Sequence, residues 1–298
     1  MALRPLLALA AMTFVALPAR AEPIPPPAEA MLRAAASRND AALGTTADAA
    51  KKAFPASSRE IDAFVSRTRA QALEAHKRKL RHQGLLRGWK GQAQAGFSST
   101  SGNSRSTGAT AGLNLAREGL DWTHTLLANA DYQRDNGRET RGRYFASFQS
   151  NWRFNDRLYM LGVASWESDR FAGFNSRTSE ALGFGYTLLR GGDMNLSVEG
   201  GPALRQTDYV VTGARSTFAS RAAVNYSWAL TPRLKLTQNM TYYGEDKDST
   251  VTSTTALTVG LLGALSLQAS YNARYESDPP TALKRYDATA RTSLVYSF

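Results

Sequence analysis

From Tyr286 to the last residue, every second position reads Tyr286, Ala288, Ala290, Thr292, Leu294, Tyr296 and Phe298, and the positions between are mostly polar. Side chains alternate across a β-strand, so this segment has one apolar face and one wet face, and it closes on an aromatic carboxyl terminus. A soluble sheet with such a face needs a second layer to cover it. A barrel in a bilayer needs none, because lipid covers the outside and water or polar groups fill the inside. The segment therefore reads as the closing strand of a bacterial outer-membrane barrel. Tyr296 and Phe298 form its carboxyl-terminal insertion signal, addressed to the barrel-assembly machinery.

The same two-residue period runs back to Trp89 in twelve segments. Trp89, Ala93, Ala95 and Phe97 alternate with Lys90, Gln92 and Gln94. Trp122, Leu126, Ala128, Ala130 and Tyr132 form another row, and Tyr144, Ala146, Phe148, Trp152 and Phe154 the next. Leu158 to Trp166 is apolar on both faces. The expected fold is all-β: a twelve-stranded antiparallel transmembrane barrel over residues 88–298, preceded by a short helical segment. Tight turns at Glu118-Gly119, Asn155-Asp156, Gly191-Gly192, Thr231-Pro232 and Leu262-Gly263 alternate with longer links at 167–177, 206–215 and 277–283. Short turns belong to the periplasmic side of such barrels, and an even strand count returns both ends of the barrel to that side.

The amino-terminal third reads differently. Arg4, the apolar run Leu6 to Leu17 and Ala19-Arg20-Ala21 make a signal peptide over residues 1–21. Residues 22–87 read as a helical periplasmic segment. A proline-rich leader is followed by Ala-rich stretches broken at Gly44 and Phe54-Pro55. A helix then starts from a Ser57/Glu60 capping box, carries Ile61, Phe64, Val65, Thr68, Ala72 and His76 on one stripe, and ends near Gly84. Its basic end, Lys77, Arg78, Lys79 and Arg81, suits a helix carboxyl terminus, and it reads either as a solvated face or as a dock for the inner leaflet or a barrel end. The chain is exported and has no cysteine, so no disulfide framework stabilises it. Mean hydropathy is −0.36 and no helical membrane span follows the leader. The net charge of +11 on an exported chain points to lipopolysaccharide, other anionic lipid or anionic solutes as counter-charges, and not to nucleic acid.

Gly88-Trp89-Lys90-Gly91, Thr100-Ser101-Gly102-Asn103-Ser104, Glu167-Ser168-Asp169-Arg170-Phe171 with Arg177, and the Tyr296-Ser297-Phe298 ending occur in that order. Together with the Ile61-Asp62-Ala63 helix and its basic end, they resemble the salt-induced outer-membrane protein family. The resemblance implies an outer-membrane barrel of a Gram-negative bacterium that answers to salt or osmotic conditions. It implies no reaction and no binding site.

Catalytic chemistry finds few residues to use. The three histidines are His76 and His82 in the leading helix and His124 on the row of Trp122 and Leu126, so no serine has an evident base. A zinc site lacks ligands, Gly183-Phe184-Gly185 lacks the third glycine of a nucleotide loop, and Asp246 with Asp248 reads as a solvated loop tip. No cofactor is expected. The suggestive residues are basic groups on the polar face: Lys90, Arg141, Arg143, Arg205, Arg221, Lys235, Arg274 and Arg291, set against Glu180, Glu199, Glu276 and Asp287. Two readings stand. The arginines pair with carboxylates and fill a closed lumen, or they ring an open one and favour anionic solutes.

Overall fold

A computed structural model describes residues 22–81, 84, 87–100, 106–279 and 284–298. The signal-peptide reading of residues 1–21, the 101–104 stretch of the first loop, His82 and the end of the last link lie outside the described residues. The chain divides into two compact units after Lys79, and each is described by itself.

The first unit contains three helices, α1 (Pro26–Ala36), α2 (Asp40–Ala53) and α3 (Ser58–Arg81). Prolines occupy the first turn of α1, where a missing N–H breaks no intrahelical bond. The expected break at Gly44 does not occur, since α2 runs through it. The chain breaks instead at Ser37–Asn39, where the Asn39 side chain accepts from the Ala42 N–H at 2.7 Å and caps α2. The expected capping box is also absent. A 3₁₀ turn, Pro55–Ser57, precedes α3, and the buried Ser57 hydroxyl donates to the Pro23 carbonyl instead. Leu32, Leu43, Ala47, Ala50, Ile61 and Val65 form the core, with Ile24, Ala36 and Phe64 packed on it. Fully buried side chains such as Leu32 and Ile61 each contribute about 1.5–3 kcal/mol. Outside the core, Arg69 meets Asp40 at 2.7 Å, and Lys51 lies 3.0 Å from Asp62 and 3.4 Å from Asp48.

The second unit is a closed antiparallel barrel of twelve strands in sequence order. They are β1 (Trp89–Thr100), β2 (Ser106–Glu118), β3 (Trp122–Asp135), β4 (Arg138–Arg153), β5 (Leu158–Asp169), β6 (Phe174–Gly191), β7 (Met194–Tyr209), β8 (Gly213–Thr231), β9 (Leu234–Glu245), β10 (Ser249–Leu262), β11 (Leu265–Glu276) and β12 (Tyr286–Ser297). Closure is made by β1 and β12, with Gly91 and Phe298 exchanging both main-chain bonds at 2.9 Å. The barrel region therefore begins and ends at the same rim, the one carrying the turns after β2, β4, β6, β8 and β10.

Two of the three longer links expected at the opposite rim are shorter than the sequence led us to expect. β5 continues to Asp169 and β6 starts at Phe174, so only residues 170–173 remain of the 167–177 link, and only 210–212 of the 206–215 link. Polar inward side chains find partners all along these segments and hold them in the sheet. β3 and β4 are joined at this rim by a two-residue turn, with Asn136 and Gly137 at φ of 50° and 80°, the positive-φ pair that a type I′ hairpin needs.

The two faces divide as the alternation demands. Large apolar side chains point outward and remain uncovered, among them Phe97 (74% exposed), Phe218 (85%) and Leu262 (85%). Contiguous apolar surface of this extent is not sustained by water. Aromatic side chains bound it on both sides. Trp122 stacks on Trp152 with centroids 6.0 Å apart and Tyr296 on Phe298 at 6.3 Å toward the turn rim, while Tyr132, Tyr144, Trp166, Tyr275 and Tyr286 lie toward the other. Where the outward row is polar it satisfies itself: Gln238 donates to Ser253 at 2.8 Å and accepts from Thr255. The strand that is apolar on both faces, β5, sends Tyr159 and Leu161 inward, both buried. Gly185 faces Tyr159 across the ladder, and a Cβ there would stand 2.1 Å from the ring, so glycine is what lets the ring lie against the wall.

Candidate functional site: the charged lumen

Arginine and carboxylate side chains on the inward rows meet in layers, and many of their bonds join strands that are not neighbours. Arg274 on β11 reaches Glu167 on β5 at 2.8 Å, and Arg177 on β6 reaches Glu276 on β11 at 2.9 Å. Arg274 also holds Glu276 at 2.6 Å, and Arg143 holds Glu167 at 2.7 Å, which joins five charges into one network. Phe174, fully buried, lies beneath it, with the guanidinium carbons of Arg177 and Arg274 at 4.2 and 5.2 Å from its ring centre. These bonds cross the interior of the barrel.

A second layer is centred on Glu199 of β7. Its carboxylate accepts from Gln149 of β4 at 2.8 Å, Tyr159 of β5 at 3.1 Å and Arg221 of β8 at 3.0 Å. On the other side, Arg291 of β12 meets Asp131 of β3 at 2.9 Å, and Arg141 of β4 meets Asp287 of β12 at 3.3 Å and donates to Thr289. Arg205 pairs with Glu245 at 2.6 Å, donates to Thr250 and packs over the Tyr243 ring. Two opposite charges 4 Å apart attract by about 4 kcal/mol at an effective dielectric constant near 20. Removing one partner of a buried pair leaves the other uncompensated, at about 3–5 kcal/mol.

Six of the eight basic residues singled out from sequence, Arg141, Arg143, Arg205, Arg221, Arg274 and Arg291, lie in these layers. Lys90 and Lys235 lie on inward rows near the turn rim, exposed and without an ion pair among the described residues. Glu180 requires correction. It stands opposite Ala164 and Leu204, on the outward row with Leu182 and Phe184, because positions two apart share a face. The expected excess of eight positive groups over four negative is corrected with it. Within the layers Arg141, Arg143, Arg177, Arg205, Arg221, Arg274 and Arg291 are all ion-paired and share the six carboxylates of Asp131, Glu167, Glu199, Glu245, Glu276 and Asp287, while Asp169 accepts from the main-chain N–H groups of Phe171 and Ala172. Sequence reasoning missed Asp131, Glu167, Arg177 and Glu245 as lumen groups, although alternation from Ala130, Trp166, Thr178 and Tyr242 places all four inward.

His124 Nδ1 lies 3.0 Å from Ser150 Oγ on the outward face, with its ring stacked between Trp122 and Phe148. A serine–histidine pair becomes a nucleophile when a third group orients the ring, and no carboxylate among the described residues bonds His124. Asp248, expected as a solvated loop tip, accepts from the Ser277 hydroxyl at 3.0 Å and the Asp278 N–H at 3.2 Å, tying the β9–β10 link to the end of β11. No group of three or more His, Asp or Glu side chains among the described residues is placed to hold a metal ion.

Residues 93–298, from the first strand to the carboxyl terminus, match the family described as "Protein of unknown function, DUF481". The chain belongs to this family. The family description carries no reference to salt. A relative, "Uncharacterized protein YdiY" of Escherichia coli strain K12, is 30% identical over 210 residues, covering 70% of this chain and 83% of its own. Among solved structures, the fold is similar to the COG4313 outer membrane channel from Pseudomonas putida F1, at 13% identity and a TM-score of 0.46, covering 73% of this chain and 98% of that one. It is also similar to the translocator domain of autotransporter NalP from Neisseria meningitidis, at 17% identity and a TM-score of 0.40, covering 80% and 98%. For this family member, the fold assignment rests on the unbroken order of its strand ladder.

Proposed function

We propose that the chain is a barrel of the Gram-negative outer membrane whose lumen is closed by arginine–carboxylate layers, and that it serves envelope integrity or adaptation to salt without catalysing a reaction. The observation that carries this reading is the set of ion pairs joining opposite walls, Arg274 to Glu167 and Arg177 to Glu276. A narrow anion-preferring channel is the weaker reading, since a selective ring needs free guanidinium groups and every arginine of these layers is already held by a carboxylate. In the favoured reading, membrane lipid and lipopolysaccharide surround the apolar belt, and the turn rim and helical unit are periplasmic. The strand ending at Tyr296 and Phe298 is then the insertion signal for the assembly machinery, a role supported by the pairing of Phe298 with Gly91.

A deletion strain tests the physiological part. It is expected to fractionate without the protein from its outer membrane, and to lose growth at high salt or in detergent while keeping its uptake of small anions. Unchanged growth under both stresses, with slower uptake of small anions, would overturn the reading in favour of the channel.

A further inference from the structure

Among the described residues, the ladder that closes the barrel stops half-way up. β1 and β12 pair from Gly91–Phe298 to Ala95–Leu294, whereas β1 pairs with β2 along its whole length and β12 with β11 from Tyr286 to Tyr296. Continued in register, Phe97 would meet Thr292 and Ser99 would meet Ala290, and neither pair forms. In an antiparallel ladder, alternate residues turn their N–H and C=O toward the same neighbour. Since Gly91 bonds Phe298 on this side, Phe97 and Thr292 direct main-chain groups into a seam that has no ladder. A bilayer tolerates such backbone only where it is buried in protein or lines a polar space.

A polar space lies against the inward face of this same stretch of β12. Asp287, Thr289 and Arg291 of β12 face a cavity of about 30 Å³ that Arg141, Arg143 and Arg274 also line. That volume holds about two water molecules, a bulk close to that of one phosphoryl group. Four guanidinium groups stand on its wall; Arg143, Arg274 and Arg291 are held by Glu167, Glu276 and Asp131, whereas Arg141 has only Asp287 as its carboxylate. Asp287 is exposed and its contact with Arg141 is 3.3 Å, so this carboxylate is the one most readily displaced. The buried Nε of Arg274 has no acceptor. Outside, the unladdered stretch is flanked by the exposed ring of Phe97 on β1 and by Thr292 and the small side chains of Ala288 and Ala290 on β12.

We propose that the half of the β1–β12 seam away from the turn rim is a lateral portal through which the phosphate of a membrane lipid enters this arginine cavity, its acyl chains remaining against the alanines outside. The proposal rests on the reading of the chain as a membrane-embedded barrel. Guanidinium groups bind phosphate through paired hydrogen bonds, and the unladdered backbone offers further polar contacts to a headgroup.

The test reconstitutes the full chain in phosphatidylcholine discs containing phosphatidic acid, and measures by native mass spectrometry the lipid retained after extraction into detergent. Wild type is expected to retain phosphatidic acid over phosphatidylcholine, Arg141→Gln to retain roughly tenfold less, and Asp287→Asn to retain more. The chain has no cysteine, so Phe97→Cys/Thr292→Cys introduces the sole thiol pair. Stapling it with a short bis-maleimide is expected to abolish lipid retention while inorganic phosphate still binds. Equal retention in wild type and Arg141→Gln would overturn the cavity, and retention undiminished by the staple would overturn the portal. Binding of inorganic phosphate with no lipid retained would leave a soluble-anion site and also overturn the portal. Each variant is run unheated on a gel: folded mobility shows an intact barrel, and a wild-type chain that never enters the discs contradicts the membrane reading instead.

Discussion

Arg274 carries more of the interior than any other side chain, because it alone holds both Glu167 and Glu276. Arg274→Ala is expected to lower barrel stability by about 1.5–3 kcal/mol, since Glu167 keeps Arg143 and Glu276 keeps Arg177 and each loses one charge-assisted hydrogen bond. The fall is read as a lower temperature for conversion from folded to unfolded gel mobility, and a variant as heat-stable as wild type would show that the network contributes little. Gly185→Ala places a methyl group 2.1 Å from the Tyr159 ring and is expected to cost about 1–3 kcal/mol by overpacking. The loss should largely vanish in a Tyr159→Ala background, and a cost that persists there would locate the strain elsewhere. At this scale much of the site was readable. Alternation places Asp131 and Glu245 inward once their neighbours are assigned. Phe174 was not readable, since it lies in a segment whose turn-like composition hid the start of a strand.

At the scale of elements, period-two alternation revealed the barrel strands because each must keep one face for lipid and one for the interior. Their ends were less legible: β6 and β7 run on through polar sequence since their partners are inside the barrel, and no local pattern records a partner on the opposite wall. The helical unit shows the converse. Its helix stripe was visible, but the cap at Asn39 and the helix through Gly44 depend on packing among three helices. Within that unit Lys51 bonds Asp62 first and Asp48 second, which holds its ammonium pKa above the ordinary lysine value. A raised pKa in the folded state means that the contribution is fully present below the unfolded lysine pKa and is lost as pH rises through the folded one. The helical signal of the full chain in circular dichroism is therefore expected to weaken in this alkaline range, and less so in Lys51→Met, where there is no charge to lose. Identical alkaline profiles for the two proteins would remove Lys51 from the account.

At the scale of the whole molecule, a barrel of twelve strands lies between the narrow ones that side chains fill and the wide ones that conduct, so strand number alone leaves the lumen undecided. The decision comes from charge placement. Seven guanidinium groups held by six carboxylates, several of them bonded across the interior, form a polar plug, and the apolar belt outside needs only lipid to cover it. The sequence showed six of the arginines and three of their carboxylates, Glu199, Glu276 and Asp287, but not which group meets which, because a pairing between β5 and β11 joins residues more than a hundred positions apart. The direct measurement is single-channel conductance of the refolded full chain in a planar bilayer, compared with Arg177→Ala/Arg274→Ala. The account predicts silence from wild type at protein loads where the double variant gives discrete steps. Steady, anion-selective steps from the wild-type protein would contradict it.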